Sequence, residues 1–227
     1  MASELTWLGH GCWAIASGGC RVVLDPFLDD SPAAPVRSDQ VEAQFVLVSH
    51  GHDDHMADAE KIARRCGATV VANYEICAWF ARRGVEKTHA MNLGGGHAFP
   101  FGHLKMTIAH HSSMLPDGSY GGNPCGYVLS LPEGRVYFAC DTGLFLDMRL
   151  IGMGGLALAA LPIGDNFTMG PDDAVEAVKL LSPKRVVPVH RDTWPLIAQD
   201  AEAWAERIRR ETAAEPVVLA PGGKITL

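Results

Sequence analysis

Ser49-His50-Gly51-His52-Asp53-Asp54-His55 places three histidines and two aspartates within seven residues. The preceding Phe45-Val46-Leu47-Val48 is an apolar, β-prone run that reads as a buried strand. Met56 to Arg65 then reads as a helix, with Met56, Ala59, Ile62 and Ala63 on one face. The imidazoles and carboxylates therefore sit on a turn at the carboxyl end of a strand, where open sheets place their chemistry. Neutral imidazole and carboxylate are ligands that zinc, manganese, iron and nickel accept. His50 and His52 are two apart, so in an extended segment they leave on the same side and can grip one metal. Asp54 and His55 are adjacent, and a turn can aim both at a second metal. A solvated turn that binds nothing would suit a lone histidine far better than this cluster.

The bounds fit a globular enzyme. A chain of 227 residues, 48% hydrophobic, is long enough for one α/β or sandwich domain with a sizeable core. A net charge of −7 disfavours a partner bound through its phosphate backbone, so no nucleic acid is expected. No apolar run approaches the ~20 residues of a membrane span. Met1-Ala2-Ser3-Glu4 lacks the basic start of a secretion signal. The six cysteines (12, 20, 66, 77, 125 and 140) form no CxxC pair, so a thiolate zinc site is not expected. Free thiols and a cytoplasmic location follow from the same reading.

Before the cluster, Cys12 to Ala16 and Arg21 to Leu24 read as a hairpin about Gly18-Gly19, ending in Asp25-Pro26-Phe27. His10, between Gly9 and Gly11, lies at a strand end. After it, Thr69 to Ala72 reads as a strand and Asn73 to Arg83 as a helix, with Trp79 and Phe80 in the core. Thr88 to Leu93 is a short strand; His97 to Gly102 and His103 to Ala109 form a hairpin. His89, His97 and His103 stand singly and read as surface or core residues. His110-His111-Ser112-Ser113 ends that hairpin where a third ligand for the first metal is needed. Alternation alone leaves this pair ambiguous: His110 continues the apolar face of Leu104, Met106 and Ile108 and would point to the core, while His111 lies on the other face, from which a loop turn could bring it to the metal.

The Gly-, Ser- and Pro-rich segment Ser112 to Pro124 is a long loop of the kind that carries function, and Tyr120-Gly121-Gly122-Asn123-Pro124 can line a pocket. Gly126 to Leu131 and Arg135 to Cys140 make another hairpin ending in Asp141-Thr142-Gly143. Asp141 can offer its two oxygens to two metals; it can also cap a helix over Leu144 to Ile151, a role Thr142 could fill instead. Leu156 to Leu161 is an apolar strand, and Pro162 to Phe167 the loop after it. Pro171-Asp172-Asp173 opens a helix to Leu181. Arg185 to Val189 is a strand closed by His190, the placement His50 also has. Trp194 to Glu211 reads as an amphipathic helix, with Val217 to Leu219 and Lys224 to Leu227 as closing strands.

His50-x-His52-x-Asp54-His55 after an apolar strand resembles the signature of the metallo-β-lactamase superfamily of hydrolases. Leu8-Gly9-His10, Asp25-Pro26-Phe27, Asn73-Tyr74-Glu75-Ile76-Cys77, His89-Ala90-Met91, Tyr120 to Pro124, Asp141-Thr142-Gly143, Leu161-Pro162-Ile163-Gly164 and Val187-Pro188-Val189-His190 extend the likeness over nearly the whole chain. They resemble a branch of metal-dependent hydrolases similar to the ascorbate-6-phosphate lactonases. The resemblance implies an α/β fold, an αββα sandwich over residues 1–227. It implies that Asp141 bridges two metals, and it also selects His111. It implies a histidine or asparagine near His10, close to the metal cleft, and frequent homo-oligomers. Asp165 departs from the branch, where a glycine is expected, and adds a carboxylate near the cleft.

Together these give a dinuclear hydrolase. His50, His52 and His111 take metal one; Asp54, His55 and His190 take metal two; Asp141 bridges. Two divalent ions, zinc first with manganese, iron or nickel accepted by the same donors, would activate a water as hydroxide. That hydroxide would attack a small ester, lactone or phosphoester, with Asp54 orienting it. His10, Asn123 and Asp165 are the substrate-contact candidates. The rival readings are a nucleic-acid-processing phosphodiesterase of the same superfamily and a non-catalytic metal-binding relative. A di-iron oxygen reductase would carry a glutamate where His52 stands and a fused flavodoxin domain, and this chain has neither.

Overall fold

The structure is a computed structural model and describes residues 2–227. The first half contains β1 (Glu4–Trp7), β2 (Trp13–Ser17), β3 (Cys20–Leu24), β4 (Phe45–Leu47), α1 (Asp53–Met56), α2 (Ala59–Cys66), β5 (Thr69–Asn73), α3 (Tyr74–Arg82) and β6 (Thr88–Met91). The second contains β7 (Gly96–Phe99), β8 (Gly102–Ile108), β9 (Cys125–Leu131), β10 (Gly134–Phe138), α4 (Met148–Gly152), β11 (Leu158–Pro162), α5 (Pro171–Leu181), β12 (Arg185–Val189), α6 (Ala201–Glu211), β13 (Glu215–Pro216) and β14 (Lys224–Thr226).

They build two seven-stranded sheets, ordered β14-β1-β2-β3-β4-β5-β6 and β13-β12-β11-β10-β9-β8-β7. The pairs are parallel from β3 to β6 in one sheet and from β10 to β13 in the other, joined by helical crossovers except for the long loop between β3 and β4, and antiparallel elsewhere. Alternation sorts the side chains. Trp7, Trp13, Leu24, Leu47 and Val71 of the first sheet meet Leu104, Tyr127, Phe138, Leu158 and Val187 of the second in one inner core. Val46, Val70 and Ala72 face outward onto Ile62, Ile76 and Phe80. Tyr137, Ala159 and Val186 face outward onto Val175, Val178 and Trp204. Four layers result, helices–sheet–sheet–helices, and this is the expected αββα sandwich.

Pro188 fits inside β12 because β13 pairs only with Arg185 and Val186. The N–H that proline lacks would have pointed to a ladder that has already ended. Tyr127 ties the layers together, its hydroxyl donating to the Val48 carbonyl at 2.8 Å.

Several element boundaries differ from the sequence reading. The helix expected over Met56 to Arg65 is broken at Ala57–Asp58. There the Asp58 carboxylate accepts from the N–H groups of Leu28 and Asp29, at 2.7 and 3.0 Å. The helix expected over Leu144 to Ile151 is the shorter α4, and Thr142 does not cap it; its hydroxyl accepts from the His110 N–H at 2.9 Å. The helix expected from Trp194 begins only at Ala201, where the Asp200 side chain accepts from the Ala203 N–H at 2.9 Å. The strand expected at Val217 to Leu219 falls at Glu215–Pro216. His110 does not enter the core: it is exposed and stacks on Phe145 at 4.9 Å. β8 keeps Leu104 and Met106 inside, then runs out of the sandwich, so Thr107 and Ala109 are buried while Ile108 is exposed.

Candidate metal centre

The loops that leave the carboxyl ends of β1, β3, β4, β8, β10, β11 and β12 gather at one end of the sandwich. His10, Asp25, Cys140 and His190 there all adopt left-handed backbone, with φ of 50, 47, 52 and 51°. Such a conformation costs a non-glycine residue roughly 1–2 kcal/mol, and its clustering at a candidate site is characteristic. Each turns the chain sharply off its strand end. The His10 carbonyl is held by the His190 N–H at 3.1 Å and the Trp7 indole N–H at 3.0 Å. Gly164 lets the β11 loop pass beside His190: a Cβ on it would lie 2.3 Å from the His190 carbonyl oxygen.

The seven residues expected to ligate metal meet at this end. His50, His52 and His111 converge, with ring nitrogens within 4.8 Å of one another. His50 Nε2 and His52 Nδ1 are 3.0 Å apart. Asp141 extends between this trio and the rest: its Oδ2 is 3.0 Å from His190 Nε2 and 3.6 Å from His111 Nε2, and its Oδ1 is 3.3 Å from His55 Nε2. Asp54 Oδ2 lies 4.0 Å from His55 Nε2. His10, Asp54, His55 and His190 form a second group that meets the same 4.8 Å criterion.

Polar atoms left without partners show what these residues fit. His55 Nε2, Asp141 Oδ1, and both ring nitrogens of His190 are buried with no hydrogen-bond partner. Unmet buried groups cost about 1–3 kcal/mol each, so folded chains avoid gathering them without a ligand. Borderline nitrogen and carboxylate oxygen donors aimed at common points suit divalent transition metals.

The ring orientations are fixed from behind. The Asp25 carboxylate accepts from the Ser49 N–H (2.8 Å), the Ser49 hydroxyl (2.6 Å) and His55 Nδ1 (2.9 Å). Ser49 Oγ, whose own proton goes to Asp25, in turn accepts a hydrogen bond from His50 Nδ1–H at 2.9 Å. Protons on Nδ1 of both imidazoles leave Nε2 as the ligand atom. For His52 the roles reverse: its Nε2 meets Ser112 Oγ at 3.2 Å, and Nδ1 faces His50. Asp25 and Ser49 were not singled out from sequence. The only local signal was that Asp25 ends a strand just before a proline.

Burial and the neighbouring His55 charge hold His50 well below the ordinary histidine value. Burial also lowers His52 and His111. All three are therefore neutral, with free lone pairs, at pH 7. His55 behaves oppositely: burial pulls it down, but the Asp141 charge and the hydrogen bond to Asp25 lift it well above the ordinary value. Burial pushes the Asp141 carboxyl up, but His190 and His55 outweigh this and hold it well below the usual carboxylate range. His55 and Asp141 could hold a divalent ion, and its binding there would be coupled to loss of the His55 proton.

His10 is fully buried, its Nδ1 2.8 Å from Thr193 Oγ1 and its Nε2 3.1 Å from Asp54 Oδ2. Burial pushes Asp54 up, but the His10 hydrogen bond and the His55 charge reverse this and keep it ionised. A cavity of about 360 Å³ opens over the cluster, lined by His52, Asp54, His111, Ser112, Asp141, Phe167 and His190. Asn123 and Asp165 do not line it. Asn123 Oδ1 accepts from the Tyr120 hydroxyl at 3.0 Å, and Asp165 folds back to accept from the Asn166 N–H at 2.8 Å. His97 and His103 are exposed and His89 half-buried, and none of them lines this cavity.

The sequence profile of the beta-lactamase superfamily domain matches residues 20–191. A UPF0173 metal-dependent hydrolase from Pelotomaculum thermopropionicum is 46% identical over 229 residues, covering 99% of this chain and 100% of the relative. One from Thermus thermophilus is 47% identical over 224 residues, covering 99% of each. Among solved structures, the metallo hydrolase Igni18 from Ignicoccus hospitalis superposes with a TM-score of 0.91 at 31% identity, covering 100% of this chain and 99% of its own.

Proposed function

This chain belongs to the metallo-β-lactamase superfamily, among the UPF0173 metal-dependent hydrolases, and from that premise we propose a dinuclear hydrolase of small acyl substrates. His50, His52 and His111 hold one divalent ion; Asp54, His55 and His190 hold the other; Asp141 serves both. The observation that carries this is the convergence of those side chains around buried donor atoms without partners. Zinc suits the donors, and manganese, iron and nickel share the preference. Bound there, the ions would acidify a water and polarise the bond under attack.

The remaining steps fall to the chain's own groups. Asp54, held ionised and anchored through one oxygen to His10, accepts a hydrogen bond from the attacking water and orients it. His10 acts through Asp54 and does not touch the substrate, because it is fully buried and both its ring nitrogens are engaged. His52 and His111 border the opening, and Ser112 keeps the His52 ring in place. No serine or cysteine nucleophile is required. Asn123 and Tyr120 brace the outer loop, and Asp165 braces the loop of Phe167.

We further infer that residues 1–227 act as one catalytic domain without a nucleic-acid or membrane partner, and that homo-oligomers form. The net charge of −7 counts against a nucleic-acid partner, and among the described residues no helix is long and apolar enough to cross a membrane; the homo-oligomer is what the family resemblance implies. Six unpaired cysteines support a reducing, cytoplasmic setting. The test is metal content per chain in protein purified without added metal, for wild type and Asp141→Ala. Close to two ions in wild type and a clear loss in the variant are expected. One or none, unchanged by the substitution and not restored by zinc or manganese, overturns the dinuclear reading.

A further inference from the structure

Of the seven side chains that line the cavity over the cluster, five belong to the ligand set and Ser112 holds His52. Phe167 alone has no part in the metal centre. It is 53% exposed and borders the opening of that cavity. Its loop spends backbone strain to hold it there. Asp165 and Asn166 are both left-handed, at φ 61 and 47°. The Asp165 carbonyl accepts from the N–H groups of Phe167 and Thr168, and the Asp165 N–H donates to the Met169 carbonyl at 3.1 Å. The Met169 N–H donates to the Thr142 carbonyl at 3.0 Å, which fastens this loop to the one carrying Asp141. Phe167 is thus a rigid apolar wall beside the reacting position.

Among the described residues, the same end of the molecule carries no unpaired lysine or arginine to meet a phosphate away from the metal ions. Of the chain's lysines and arginines, only Arg37 and Arg191 fall on the strand-end loops at 8–12, 25–44, 48–52, 109–124, 139–147, 163–170 and 190–200. Arg37 pairs with Asp29 at 3.6 Å. Arg191 is buried, bonded to Asp192 and the Leu219 carbonyl, with its guanidinium over the Trp7 ring at 5.2 Å. The helix that follows the Phe167 loop, α5, opens with proline and then Asp172 and Asp173, which repel an anion. Beside α1 a second cavity of about 630 Å³ is bordered by Asp30, Asp53, Glu60 and Asp117, and its one cation, Arg83, is paired with Glu60. A phosphoryl group away from the reacting bond would lose its water and find no charged donor in return.

We propose that the substrate is an uncharged carboxylic ester or lactone whose hydrocarbon part lies against Phe167, and that Phe167 sets its chain-length preference. This rests on the hydrolase reading above and narrows its substrate class. In the reaction the oxygen of water bonds to the acyl carbon and the C–O bond to the alcohol breaks. The alkoxide leaving group takes a proton, giving a carboxylic acid and an alcohol, or a hydroxy acid from a lactone.

The test uses metal-loaded protein and a lactone series with side chains of increasing length, alongside phosphorylated lactones and bis-p-nitrophenyl phosphate. For wild type, kcat/KM should rise about twofold per methylene, half the effect of full burial because Phe167 forms one wall. Phe167→Ala should flatten that rise, losing about tenfold on the longest lactone through KM, with the shortest lactone and the metal content unchanged; Phe167→Leu should restore part of it. Preference for the phosphorylated compounds overturns the uncharged class but leaves a hydrolase. An unchanged chain-length slope in Phe167→Ala overturns the role of Phe167. If metal-loaded protein turns over none of these, the hydrolase reading fails, and binding of homologous alkyl methyl ketones by calorimetry decides the rest. Affinity that grows with chain length and is lost in Phe167→Ala supports the apolar wall; no such dependence overturns it.

Discussion

Asp25→Asn is the substitution that most directly tests how the imidazoles are aimed. Asp25 is fully buried and accepts three hydrogen bonds, from the Ser49 N–H, the Ser49 hydroxyl and His55 Nδ1. An asparagine keeps the shape and one carbonyl oxygen, which can still receive the Ser49 N–H. Its amide nitrogen, a donor, then faces the two other donors at 2.6 and 2.9 Å. The hydroxyl must turn to His50 Nδ1, and His55 must accept at Nδ1. Both rings then carry their proton on Nε2, pointed at the place where a lone pair should meet metal. Two mismatched buried contacts at about 1–3 kcal/mol each put the loss of stability of the metal-free protein at roughly 2–6 kcal/mol. Metal affinity should fall about 10–100-fold, as for other outer partners of metal-bound histidine. Competition against a chromophoric chelator measures the affinity, and thermal unfolding of chelator-treated protein measures the stability. An affinity within twofold of wild type would refute the claim that Asp25 sets the ring tautomers.

Other perturbations address the surrounding structure. Burial lowers His10 to about 4, so below pH 6.5 the unfolded chain takes up a proton that the folded chain refuses. Chelator-treated protein should therefore lose up to about 3 kcal/mol as pH falls from 6.5 to 4, at about 1.4 kcal/mol per pH unit. Denaturant melts of His10→Gln should lack that component, and a parallel acid limb would refute it. Gly11→Ala would set a methyl 2.8 Å from His55 Cε1, where the ring is locked by Asp25. Metal stoichiometry should drop by the ion His55 holds, while the ion on His50, His52 and His111 stays; full loading would show that the ring has room. Tyr127→Phe removes the buried hydroxyl that donates to the Val48 carbonyl between the sheets. About 1–2 kcal/mol of stability should be lost with metal content intact, as read by urea melts; no change would mean that the carbonyl finds another donor.

Much of the site was legible because its ligands obey local rules. His50, His52, Asp54 and His55 lie on one turn, and Asp141 and His190 each close a strand that alternation or an apolar run marks out. The structure brings His111, not His110, into the cluster, although the argument from the apolar face did not hold, since His110 lies outside the core on Phe145. The helix starts at Leu144 and Trp194 failed for a related reason. Their sequences suit helix, but the segments are drawn into loops that shape the metal end, and Asp200 supplies a cap that starts the helix later.

The sequence by itself determined the alternation of strands and helices and the candidate donors at strand ends, which follow from side-chain periodicity and residue chemistry within a few positions of one another. The αββα class was implied by the resemblance that the motifs carry, and the two sheets bear it out. The tertiary structure alone decided which nitrogen of His50 and His55 is engaged from behind, that His10 bonds Asp54, and that Phe167 stands over the cavity. Those outcomes depend on contacts such as Asp25 with His55, 30 residues apart, and His10 with Thr193, 183 apart. Such pairs leave no periodic trace in the chain, because the two partners meet only when separate strand ends are brought to the same edge of the sandwich.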